Sequence, residues 1–169
     1  MSSAFAVAKQ IRERLPGTSG HKLQKLIYYC QVWSLVWRDE PLFADPIEAW
    51  RDGPVVPNVR EDMLYRNSGQ VERSLPMAER DVAHIDRVLV MYGHMSMQQL
   101  IDLTHDERPW QKARAGLAPD AKSNEPMPLE TIAQFYKSLW ADAQQTNDAL
   151  NEKPEFQGTA AELFEKYSL

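Results

Sequence analysis

The chain has 169 residues, 43% hydrophobic and 25% charged, with a formal net charge of −5 and a pI near 5.4. That length suggests one domain, able to bury about 70% of the surface its unfolded form exposes without a covalent staple. The acidic balance argues against a nucleic-acid surface, the lone Cys30 excludes an internal disulfide, and no apolar run reaches the ~20 residues of a membrane span.

The N-terminus has no basic start before an apolar stretch, so no signal peptide is expected and the chain reads as cytoplasmic. Phe5, Ala8, Ile11 and Leu15 recur at helical spacing, and Pro16-Gly17 stops that helix. Thr18 or Ser19 can cap the next one. Its stripe is Leu23, Leu26, Ile27, Cys30, Trp33 and Trp37, widened by Tyr29, Val32 and Val36. A helix so apolar belongs at the centre of the core. Its polar positions, Lys22, Gln24 and Lys25, lie toward its N-terminal end.

The pattern breaks over residues 41–57. Four prolines there, Pro41, Pro46, Pro54 and Pro57, restrict the backbone and remove donors. Ile47 to Trp50 reads as a short extended piece, and Val55-Val56, bracketed by Pro54 and Pro57, must be extended or in a turn. At most a small hairpin is expected, serving as a clasp between helices or as a recognition loop. Asn58 is a plausible cap for a short helix through Tyr65, and Asn67-Ser68-Gly69 signals a turn.

Val82, Ile85, Val88, Leu89 and Tyr92 form a further stripe ended by Gly93. Ser96 and Gln99 match a capping box for a helix carrying Leu100 and Leu103. Thr104 to Trp110 reads as a helix exit and a proline-started turn. Pro119 to Pro128 reads as a polar linker. Pro128 suits the first position of a helix bearing Leu129, Ile132, Phe135, Tyr136, Leu139 and Trp140. Residues 1–143 are expected to form the compact domain. Residues 144–169 read as a polar linker and a short C-terminal amphipathic helix, capped by Thr159 and Glu162 and apolar at Leu163, Phe164 and Tyr167.

No catalytic constellation stands out. His21, His84, His94 and His105 lie in no metal-ligand spacing, so no metal is expected. Gly17, Gly20 and Gly53 make no phosphate loop, and no cofactor is expected. His105-Asp106-Glu107 sets an imidazole beside two carboxylates, but sequence neighbours on a helix do not face one another. Cys30 reads as an inert buried thiol, and Trp33, Trp37 and Trp140 read as core. Trp50 and Trp110 lie beside prolines and charges in irregular segments. Each either pins its loop to the scaffold or anchors an interface.

These residues carry a resemblance. Leu23-Gln24-Lys25-Leu26-Ile27-Tyr28-Tyr29-Cys30-Gln31 resembles the opening "LQKLLYYAQ" of the Panacea domain, the SocA-like antitoxin domain. Pro41-Leu42-Phe43 with Pro46 to Pro57 resembles its "PLF..PIEAW.YGPV.P" block, and Thr104 to Arg114 its "TH.E.PW..AR" block. The resemblance runs over residues 5 to 142. Asp52 departs from the aromatic or histidine common at its position, and Cys30 from alanine.

The resemblance implies a mainly helical domain that neutralises a toxin encoded by the adjacent gene through direct protein contact, with no enzymatic step. It also implies an alternative, an adaptor that delivers the toxin to a ClpXP-type protease. Some members carry a DNA-binding helix-turn-helix, for which this chain is expected to have no room. A hydrolase or transferase using His105 is a remote alternative. Expected toxin-contacting residues are Trp50, Arg51, Asp52, Val55, Val56, His105, Trp110 and Phe164. Because the resemblance makes the proline-rich run a signature of the whole domain, Gly53, Pro54 and Pro57 are expected to be structural.

Overall fold

Helix α2 (Gly20–Trp37) is the axis of the molecule, and every residue from Leu23 to Leu35 along it is buried. A helix apolar nearly all round can satisfy itself only by burial on every side. Accordingly α2 packs against α1 (Ala4–Arg14), α3 (Pro57–Tyr65), α5 (Glu79–Tyr92), α6 (Met97–Asp106) and α8 (Leu129–Leu150). The computed structural model describes residues 1–65 and 70–150. Two short helices, α4 (Gln70–Arg73) and α7 (Arg108–Ala113), and one two-stranded hairpin complete the described elements. The fold is mainly helical, as the periodicities indicate.

The caps follow the sequence closely. Ser19 accepts from the backbone N–H of Lys22, and Ser96 and Gln99 form the reciprocal capping box. Two local expectations, the Asn58 cap and the proline-started turn, are corrected, whereas Gly93 does end its helix. Asn58 is not a cap: α3 opens one residue earlier at Pro57, whose missing N–H costs nothing in the first turn. Asn58 is exposed and donates to Asp45 instead. Gly93 follows α5 with φ −63, in ordinary right-handed geometry. It is needed for space, because a Cβ there would lie 2.5 Å from the Leu89 carbonyl oxygen and 3.3 Å from a Leu15 methyl. The proline-started turn is a complete helix, α7, with Pro109 in its first turn.

The aromatic core gathers on α2. Trp33 is buried, with its indole N–H donating to the Tyr92 hydroxyl at 3.0 Å. Trp37 and Trp140 are half-buried and pack on it at 4.7 and 5.6 Å between ring centroids. Cys30 is fully buried, and burial pushes its thiol up, which keeps it un-ionised.

Strands β1 (Glu48–Trp50) and β2 (Gly53–Val55) pair antiparallel around the turn Arg51-Asp52, with Trp50 opposite Gly53. The segment from Pro119 to Pro128 is more than a linker. The N–H of Ala49 donates to the Glu125 carbonyl, and that of Met127 to the Ile47 carbonyl, both at 2.8 Å. It thereby covers the outer edge of β1 and removes an exposed ladder. Helix α8 continues through Leu150. The Asn67-Ser68-Gly69 turn and the capped segment with Leu163, Phe164 and Tyr167 lie outside the described residues.

Candidate functional site

The hairpin is held from below by polar side chains that α2 carries into the core. The buried Lys25 ammonium donates to the Pro54 carbonyl at 3.1 Å, and Gln24 accepts from the Val56 N–H at 2.8 Å. About two turns further along, Gln31 accepts from the N–H groups of Leu42 and Phe43 and donates to the Phe43 carbonyl. Proline-rich backbone is thus buried with its polar groups satisfied, as burial requires. Gly53 has φ +95, and a Cβ on it would stand 2.5 Å from Lys25 Cε and 2.7 Å from Thr104 Oγ1. Only glycine fits, on both counts.

From the side, α7 clamps the hairpin. Trp110 is buried and donates from Nε1 to the Trp50 carbonyl at 2.9 Å. The buried Arg114 donates to the Ala49 carbonyl at 3.2 Å and, through Nη2, to the carbonyls of Ala118, Pro119 and Ala121. One guanidinium therefore ties the hairpin to the covering segment. His105 stacks on Trp110 at 4.0 Å, and burial together with the nearby Lys25 charge lowers its basicity.

The triplet His105-Asp106-Glu107 is dispersed. Asp106 is exposed, whereas Glu107 is buried and accepts from the Tyr29 hydroxyl at 2.8 Å. Burial pushes the Glu107 carboxyl up to about 7, against the pull of the Tyr136, Tyr29 and Tyr28 hydroxyls. Of these, only the Tyr29 bond is well formed; Glu107 Oε2 and the hydroxyls of Tyr28 and Tyr136 lack a partner in good geometry. The imidazole and this carboxyl serve different neighbours and do not converge on a common point. Among the described residues no three His, Cys, Asp or Glu side chains gather as metal ligands, and no helix is long and apolar enough to cross a membrane.

Above the hairpin opens a cavity of about 580 Å³. Trp50 and Val55 form its apolar wall, and Gln24 and Lys25 reach it from α2. Arg60, on α3, places its guanidinium 5.8 Å from the Trp50 ring centroid, and Lys122 and Asn124 contribute from the covering segment. At the rim Arg51 and Asp52 pair with each other at 2.9 Å, which holds the Asp52 carboxyl below its ordinary range. Burial depresses the Lys25 ammonium to about 7.

The structure brings seven of the eight expected contact residues to this hairpin and its clamp. Arg51 is exposed and Asp52 partly so, Trp50 is half-buried, and Val55 lines the cavity. Val56, at 1% exposure, belongs to the core, and Trp110 works as a clamp. Phe164 lies outside the described residues. Trp50 and Trp110 stand in regular elements, β1 and α7, rather than in irregular segments. Sequence reasoning missed Gln24, Lys25, Arg60, Arg114 and Lys122. A polar pair set in a helix apolar all round was a signal for the first two. Arg114 closes the resembling Thr104–Arg114 block, and nothing local distinguishes Arg60 and Lys122.

The family model of the antitoxin SocA-like Panacea domain matches residues 23–111, more than half of the chain. The chain is also similar to antitoxin SocA of Caulobacter vibrioides (strain NA1000 / CB15N), at 33% identity over 107 residues, 52% of this chain and 55% of that protein. The chain thus spans about half the length of the curated relative it matches. No solved structure matches.

Proposed function

The chain belongs to the SocA-like Panacea antitoxin-domain family, and from that premise we propose that it neutralises a cognate toxin, encoded by the adjacent gene, through direct protein contact in the cytoplasm. The observation that carries this reading is the family match itself, which spans the hairpin and reaches Trp110 of its clamp. The contact face is the hairpin turn with Trp50, Arg51 and Asp52, the mouth of the cavity and the half-buried His105. A rigid scaffold presenting a short loop is where recognition usually resides. Tryptophan and arginine are favoured anchors of interfaces. Val56 and Trp110 contribute by fixing the hairpin, since neither has side-chain surface to offer.

Co-expression with the product of the neighbouring gene tests this. That product is expected to arrest growth alone, to be relieved by this chain, and to co-purify with it. A neighbour that is harmless alone, or toxic but neither rescued nor bound, overturns the reading. Arg51→Glu with Asp52→Lys is expected to weaken the complex while leaving the circular dichroism unchanged. The toxin's half-life in the same cells separates occlusion, which leaves it unchanged, from delivery to a ClpXP-type protease, which shortens it.

A further inference from the structure

On the reading that this chain binds a partner protein, we infer that the cavity above the hairpin receives a carboxylate carried on an apolar stem, supplied by an acidic side chain or chain end of that partner. The chain is acidic overall, yet this cavity gathers Lys25, Arg60 and Lys122. Among the described residues none of the three has an ion-pair partner. The one carboxylate lining it, Asp52, is engaged by Arg51. Lys25, Arg51, Arg60 and Lys122 against the single Asp52 carboxylate leave an excess of positive charge in a concave, partly apolar site, which focuses potential on an incoming anion.

A second, independent observation lies on the cavity floor. Gln24 is 1% exposed, its oxygen is taken by the Val56 N–H, and its Nε2 donates to nothing. A buried amide donor without an acceptor is costly, and a carboxylate oxygen would supply one. Lys25 Nζ stands on the same floor with a single bond, to the Pro54 carbonyl. In the ammonium form, which an approaching carboxylate favours, it has three donors, so two remain for the ligand.

The walls select what the carboxylate hangs from. Trp50 and Val55 are apolar, and the volume of about 580 Å³ far exceeds what a bare carboxylate fills. A phosphate group is the poorer fit. It is typically held by arginine forks or rows of backbone N–H groups, whereas the guanidinium of Arg60 lies over Trp50.

Titrating the full chain by NMR with hydrocinnamate, hydrocinnamide and inorganic phosphate tests the chemistry. Hydrocinnamate is expected to shift the Trp50 indole and Val55 methyl signals saturably, with the amide and phosphate leaving them in place. Arg60→Glu with Lys122→Glu, surface changes that spare the supports of the hairpin, is expected to weaken that binding about tenfold. Equal binding of the amide, phosphate shifting the same signals, or no response to hydrocinnamate overturns the inference. In the toxin complex the same double variant is expected to raise Kd about tenfold, with charge-reversed toxin acids restoring affinity. An unchanged Kd overturns the carboxylate inference while the antitoxin reading stands. A wild-type chain that binds no toxin overturns the antitoxin reading, and the hydrocinnamate titration still reports separately on the cavity.

Discussion

Trp110 donates its indole N–H to the carbonyl of Trp50 across 2.9 Å, joining residues sixty positions apart in sequence. Through that bond the helix α7 becomes the support of the hairpin, and the two tryptophans divide the labour. One is held at the cavity wall; the other holds it. Arg114 lies 5.0 Å from the Trp110 ring and ties Ala49 to the covering segment, so the support has a second leg.

Replacing Trp110 by Phe keeps an aromatic ring for His105, deletes the donor and removes part of a buried ring. The Trp50 carbonyl is then left without its partner. The expected loss is about 1–2 kcal/mol. In urea denaturation the midpoint should fall with the m-value unchanged, because the surface exposed on unfolding stays the same. No change in midpoint would mean that the bond does not support the hairpin.

Gly53→Ala should be far more damaging than Gly17→Ala, although both glycines have positive φ. At Gly17 a Cβ meets nothing within 4 Å, so only the backbone preference is lost, about 1 kcal/mol. At Gly53 the same preference is lost and the methyl collides with Lys25 and Thr104. The expected cost is on the order of 2–4 kcal/mol. Thermal denaturation of the two variants side by side checks the order.

The helices were legible because burial imposes a period on apolar residues, and α2 announced its central place through a broad apolar stripe over about five turns. The hairpin was legible from its prolines, which leave a chain few alternatives. Its supports were not. Gln24, Lys25 and Gln31 are polar residues on the most buried helix, and only the fold shows that each reaches proline-rich backbone with no other donors or acceptors at hand. The basic cavity was illegible for a related reason. Lys25, Arg60 and Lys122 come from three separate parts of the chain, and nothing in their local sequence ties them together.

Gln31→Leu follows from the same logic. Gln31 satisfies two N–H groups and one carbonyl of the Leu42-Phe43 backbone and is fully buried. Leucine would fill much of the space and leave all three groups without partners. The expected destabilisation is on the order of 3 kcal/mol or more, since each stranded group carries its own desolvation cost. Faster amide exchange at Leu42 and Phe43 than in the hairpin would locate the damage. Uniform exchange would show that the segment has other support.

Two buried charges give stability opposite slopes on either side of neutrality. The folded Glu107 carboxyl is raised from 4.5 to about 7, so the native state holds its proton longer than the unfolded state does. Its contribution is fully present below about 4.5 and is lost as pH rises through about 7. The folded Lys25 ammonium is depressed from 10.5 to about 7. Its contribution is fully present above about 10.5 and is lost as pH falls through about 7. These two groups together place a minimum of stability near pH 7. The lowered basicities of His21, His84 and His105 act against the Glu107 slope below about 6.5, so the clean measurement is a difference. Subtracting the pH–stability curve of Glu107→Gln from that of the native chain should leave a fall between about pH 4.5 and 7. The same subtraction for Lys25→Met should leave a rise between about pH 7 and 10.5. Flat difference curves would mean that both groups ionise in the folded protein as they do in water.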